Sequence, residues 1–214
     1  MRKAETVLTP RKTPIQARSS ASVNAILQAT VQVLLKEGVA KVTTRRVAAR
    51  AGVSVGTLYQ YFPNKSSLLY VLFRQQLDSF AVNFEEACTA VRGAELVEMA
   101  EVLASAFVKS KFGDAETSIA LYAAAGNCDG CRRMRTRTAK ALAGTISTAS
   151  DRTVADPSRV ARMLFSAMAG ISRDIVAAGL GRNTMSAMER ELALLLRAYL
   201  LGSSTLKSRS RTGL

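Results

Sequence analysis

The chain has 214 residues, 48% of them hydrophobic and 21% charged, with a formal net charge of +14; it is long enough to bury a real core, and its balance is globular rather than disordered. It contains no His, which excludes Ser-His-Asp and Cys-His catalysis and every metal site that needs imidazole. No apolar run approaches the ~18–20 residues needed to cross a bilayer, and Cys88, Cys128 and Cys131 form no even-numbered disulfide framework, so a cytoplasmic protein with no cofactor and no membrane partner is expected.

In chain order, residues 1–18 are basic, polar and interrupted by Pro10 and Pro14, and are expected to be a flexible arm. From Ser19, apolar residues recur at steps of three and four (Val23, Ile26, Leu27, Val31, Leu34, Leu35), the period of a helix with one buried face. Gly38 suits the end of that helix. Thr43 or Thr44 suits the N-cap of a short second helix that turns Val47, Ala48 and Ala51 inward and stops at Gly52. Ser54 offers another N-cap, for a helix running to Phe62. Pro63 ends it, and Asn64 caps a long fourth helix from Lys65. Charge is concentrated in this part of the chain: residues 1–65 hold 11 Lys/Arg against Glu5 and Glu37, and no acid falls between Glu37 and Asp78. Such a segment attracts polyanions.

Helix, Gly-containing turn and short helix within Thr44–Phe62 is the spacing of a helix-turn-helix, in which the first helix braces a second that enters the major groove. Leu58 and Phe62, four apart, would anchor the second helix. Val55, Gly56, Tyr59 and Gln60 fall on its other side, towards base edges. Thr44, Tyr61 and Lys65 suit phosphate contacts, which set register while base contacts discriminate sequence.

The stretch from Val42-Thr43-Thr44 through Ala51-Gly52-Val53-Ser54 and Gly56-Thr57-Leu58-Tyr59-Gln60-Tyr61-Phe62 to Lys65 resembles the TetR family of bacterial regulators. The resemblance is specific over the first third of the chain and beyond Leu72 rests on helical content and length. It implies that Thr44, Tyr61 and Lys65 contact phosphates and that Val55, Gly56, Thr57, Tyr59 and Gln60 face the groove. Arg45 and Ser54 are counted in the same DNA-binding set. One departure is Leu35, where an aromatic is usual near the end of the first helix.

The remainder reads as helices broken at Gly93, Gly113, Gly126–Gly130, Asp156–Pro157 and Gly179–Gly181. In the penultimate helix Val160, Leu164, Ala167, Met168, Ile171 and Ile175 make one wide stripe. The last helix carries two, Met188-Leu192-Leu195-Tyr199 and Leu194-Ala198-Leu201. A helix apolar on two faces needs two partners, one of which is expected to be a second subunit. Leu164, Met168, Ile171, Ile175, Leu192, Leu195 and Tyr199 are the expected interface, and Phe84, Leu103, Phe107 and Tyr122 the candidate ligand-pocket residues, against the plainer reading of these last as core. Residues 202–214, Ser-rich and basic, read as a disordered tail.

Two motifs mislead. Gly52-Val53-Ser54-Val55-Gly56 spells the nucleophile elbow of α/β-hydrolases, but that elbow needs a preceding strand and a His. Cys128-Asp129-Gly130-Cys131 is a CxxC with only Cys88 left to complete a metal site. A redox switch there is one alternative, with Arg132, Arg133, Arg135 and Arg137 able to lower a thiol pKa. The plainer reading is an ordinary loop, and the Arg cluster a solvated face that could still bind an acidic ligand.

The expected fold is all-α, an N-terminal three-helix helix-turn-helix domain at 19–65 followed by a helical ligand-binding and dimerisation domain at 66–201. The expected function is that of a sequence-specific regulator of transcription, a repressor that leaves its double-stranded DNA operator when a small-molecule effector binds and that acts as a homodimer. A nonspecific nucleoid-type DNA-binding protein is the other alternative. Nothing in the residues points to an enzyme.

Overall fold

The computed structural model describes residues 17–112, 117, 118, 120, 121, 129–178 and 182–207. The expected arm, apart from the residues that open the first helix, lies outside them, as do Tyr122 and Cys128. The described elements are α1 (Ala17–Glu37), a 3-10 turn (Val39–Lys41), α2 (Thr44–Ala51), α3 (Val55–Tyr61), α4 (Lys65–Ala90), α5 (Leu96–Phe112), α6 (Asp129–Ile146), β1 (Arg152–Val154), α7 (Pro157–Ala178), α8 (Arg182–Gly202) and β2 (Ser204–Leu206). The protein is all-α, with one small ribbon.

The residues fall into two compact units, one drawn from Met1–Gln76 and Asp114–Cys128, the other from Leu77–Gly113 and Asp129–Leu214. The division falls inside α4 rather than at its start, where the sequence suggests it, because α4 is an unbroken helix and helix periodicity does not register which neighbours each turn has.

In the first unit, α1 buries Ile26, Leu27, Thr30 and Leu34, the stripe that its spacing predicts. Gly38 follows at φ 79° and leads into the 3-10 turn. A positive φ costs glycine nothing and a Cβ-bearing residue about 1 kcal/mol or more. The core is completed by Val42, Val47, Ala48, Leu58, Phe62 and Leu68, all buried.

In the second unit α8 packs along α5, and α7 along α6. Four rings, Phe80, Phe84, Phe107 and Phe165, meet with centroids 5.4–6.4 Å apart, mostly edge to face, the arrangement that ring quadrupoles favour. Arg137 of α6 grips Glu85 of α4 with Nε and Nη2, each 2.6 Å from a carboxylate oxygen.

The ribbon corrects the expected tail. β2 pairs antiparallel with β1, Arg152 opposite Leu206 and Val154 opposite Ser204, and the Lys207 amide donates to the Asp151 carbonyl at 3.0 Å. Residues 204–207 are therefore ordered. Strands of three residues are too short to show alternation in a sequence.

Candidate nucleic-acid interface

Each turn of the helix-turn-helix is set by a local hydrogen bond. Of the two threonines offered as the cap of α2 it is Thr43 that serves, its side chain accepting from the Arg46 amide at 3.3 Å. Gly52 closes α2 in the left-handed conformation at φ 68°. Ser54 Oγ then accepts from the Thr57 amide at 2.9 Å to start α3. Asn64 Oδ1 accepts from the Ser67 amide at 2.8 Å to start α4. N-caps of this kind are worth ~1 kcal/mol each, a large share of the stability of helices of eight and seven residues.

Three contacts tie the motif to its base. Arg46 pairs with Glu37 of α1. Arg50 Nε donates to Gln32 Oε1 at 2.7 Å. Lys65 Nζ donates to the Val39 carbonyl. Arg46 and Arg50 are thus bracing residues, a role that no local spacing rule reveals, since their partners lie 9 and 18 positions away.

Against that base α3 has two faces. Leu58 is fully buried and Phe62 nearly so. Val55 and Tyr59 are nevertheless 38% and 42% exposed, unusually open for large apolar side chains, and Gly56 and Gln60 are exposed beside them. Ser54 and Arg45 are exposed as well, while Tyr61, Thr44 and Lys65 are half-buried. The structure therefore brings Val55, Gly56, Tyr59 and Gln60 to one open surface. Thr57 stands apart. Its hydroxyl lies 2.8 Å from Ser54 Oγ, which turns it toward the cap. Thr44 Oγ1 and the Tyr59 hydroxyl are 3.1 Å apart, so α2 and α3 are joined on the open face, a link that the sequence did not suggest. A Cβ on Gly56 would meet only Ser54 Oγ, at 3.7 Å; in the free protein this glycine fills no steric need.

Residues 26–71 match the family model for bacterial regulatory proteins of the tetR family, and residues 95–200 match that of the tetracyclin repressor-like C-terminal domain. The chain belongs to the TetR family. Among curated relatives, an HTH-type transcriptional regulator of Staphylococcus aureus (strain USA300) is 37% identical over 51 residues, 24% of this chain and 28% of the relative; the match spans little more than a quarter of that relative's length. Among solved structures, a TetR-family regulator from Mesorhizobium loti is similar with a TM-score of 0.66 and 19% identity, over 87% of this chain and 98% of that one. SmeT, the repressor of the Stenotrophomonas maltophilia multidrug efflux pump SmeDEF, is similar with a TM-score of 0.63 and 20% identity, over 89% and 93%. Likeness at that identity establishes the shared fold.

The sites expected in the second unit of this TetR-family chain fare differently. Leu164, Met168 and Leu192 are no more than 2% exposed within the single chain, so they are core and not subunit interface. A stripe apolar all round gives the sequence no means of telling its inner side from its outer. Ile171, Leu195 and Tyr199 are half-buried at the margin. Ile175 lies in α7, its side chain outside the described residues. The outward residues are Met163 and Leu194, 56% and 62% exposed, and Leu194 lines an apolar groove of about 450 Å³ with Ile171, Leu195 and Ala198.

Of the pocket candidates, Phe84 and Phe107 belong to the four-ring cluster and Leu103 is fully buried, which makes these three core. Lys111, 7% exposed, lies 5.6 Å from the centroid of the Phe80 ring, and burial lowers its pKa to about 7. Of the cysteines, Cys88 is buried and its thiol is pushed up to about 11, chiefly by that burial, leaving it unreactive near neutral pH. Cys131 is half-buried in the first turn of α6. Among the described residues no group of His, Cys, Asp and Glu is placed to hold a metal ion, and no helix is long and apolar enough to cross a membrane.

Proposed function

We propose that the chain is a homodimeric repressor in the cytoplasm that occupies a near-palindromic operator and leaves it when a small molecule binds the helical domain at about 66–201. The observation that carries the DNA-binding part is the open face of α3, where Val55, Gly56, Tyr59 and Gln60 stand exposed on a helix anchored by the buried Leu58 and Phe62. Arg45 and Lys65 flank it as cations for phosphate, with the Thr44 and Tyr61 hydroxyls. Lys65 has three donors, so the one given to Val39 leaves others for DNA. The Ser54 and Thr57 side chains meet at the cap of α3, so these two would reach DNA through the backbone.

Two copies would place their α3 helices in successive major grooves ~34–36 Å apart. The exposed Leu194 and Met163 and the groove beside α8 support pairing through α7 and α8. Ligand release is supported by the family, one solved structure being a complex of SmeT with triclosan. The basic arm at 1–18 would add phosphate contacts.

Selection from a random duplex pool tests the whole reading. A single enriched motif with two inverted half-sites is the expected result. Equal retention of all sequences, with affinity set only by ionic strength, would reduce the protein to a nonspecific nucleoid-type binder.

A further inference from the structure

α6 and α7 leave a groove between them, of about 430 Å³, whose borders carry Arg132, Arg135 and Lys140 from one helix and Arg162 from the other. Ala139 and Ala143 form part of its wall, and the residues that line it include no carboxylate. Four cations thus border one concavity without an acid among its lining residues. Guanidinium groups present planar forks of donors that match carboxylate, sulfonate and phosphate oxygens. The volume lies in the range of small-molecule pockets, ~300–1,000 Å³, and the alanine surface suits the apolar body of such a molecule.

From this geometry we propose that the α6–α7 groove is a binding site for a small organic anion, its acidic group held by Arg135, Lys140 and Arg162 and its apolar part laid against Ala139 and Ala143. The groove lies on α6 and on the flank of α7 that carries Arg162, whereas Ile171, which lines the apolar groove beside α8, lies on the opposite side of α7. Occupying it therefore leaves the groove beside α8 clear. A concave, molecule-sized site with an apolar wall favours a small anion over duplex DNA, whose backbone is served by protruding cations on an open surface.

Anilinonaphthalenesulfonate, a fluorescent aromatic anion, and phenylnaphthylamine, its uncharged counterpart, are the probes. The full chain is compared with Arg135→Gln/Arg162→Gln and with a charge-matched control off the groove, Arg133→Gln/Arg173→Gln, after thermal melts establish that all three are folded. The expected result is sulfonate binding that weakens about tenfold or more in the groove variant and not in the control, with binding of the neutral probe unchanged in both. Inorganic pyrophosphate should displace the sulfonate from the native groove. Three results would overturn the proposal: no sulfonate binding by the native chain, equal binding by the groove variant, or equal weakening in the control.

Discussion

Leu58 and Gln60 lie two residues apart on α3, and their substitution should separate folding from recognition. Leu58 is fully buried. Truncation to Ala removes its contacts and leaves a void, a loss of ~2–5 kcal/mol. The first unit is small, and at ~0.05–0.15 kcal/mol per residue a unit of about 90 residues has only ~5–14 kcal/mol in reserve. Leu58→Ala should therefore remove a large part of that reserve and make opening of α3 far more frequent. The measurement is amide hydrogen exchange at Phe62, whose N–H is bonded to the Leu58 carbonyl at 2.9 Å. Each 1.4 kcal/mol is tenfold, so protection should fall by between about 30-fold and several thousandfold. Operator affinity should drop only once the open form is a sizeable fraction of the whole. Gln60→Ala should do the reverse. Gln60 is exposed, so stability should move by no more than ~0.5 kcal/mol, while loss of a base contact costs ~1–3 kcal/mol on the preferred operator. Unchanged protection in Leu58→Ala, or a melted α3 in Gln60→Ala, would refute the two-faced description of this helix.

Replacing Lys65 with Ala should weaken binding to all duplexes about equally and lower the salt slope by ~1, as titrations at several salt concentrations would record; an unchanged slope would remove Lys65 from the phosphate contacts. Leu194→Glu should shift the protein to monomer in sedimentation at concentrations where the native chain is dimeric, whereas Leu164→Ala should lower the melting temperature without that shift. Lys111 has a folded-state pKa near 7 against an ordinary 10.5, so from about pH 7 to 10.5 the unfolded chain binds the extra proton and stability rises with pH. Lys111→Met should raise the melting temperature at pH 6–7 and lose that advantage towards pH 10, and equal gains at both ends would contradict a buried, partly neutral amine.

Much of the helix-turn-helix was legible because it is built from short-range rules. The Ser54 and Asn64 caps, the break at Gly52 and the inward Leu58–Phe62 pair each depend on neighbours within four residues, and each appears where its residue type suggests. The bracing of α2 was not legible. Glu37 and Gln32 are paired with Arg46 and Arg50 across a turn of the chain, and in sequence these four look like ordinary surface residues. The second unit was harder for a different reason. Its helices were located, but α8 carries apolar residues on two sides, and only its packing along α5 shows that Leu192 is inside and Leu194 outside. The aromatic residues pose the same problem, since Phe84 and Phe107 at helical spacing suit a pocket wall as well as a packed cluster.

A seven-residue helix has almost no persistence by itself; α3 borrows its rigidity from the cap at Ser54 and the anchors at Leu58 and Phe62. Its outward side chains are consequently interchangeable parts. A lineage descended from this gene could exchange Val55, Tyr59 or Gln60 and acquire new target promoters without renegotiating the scaffold, the Thr44–Tyr59 bridge being the one tether on that freedom.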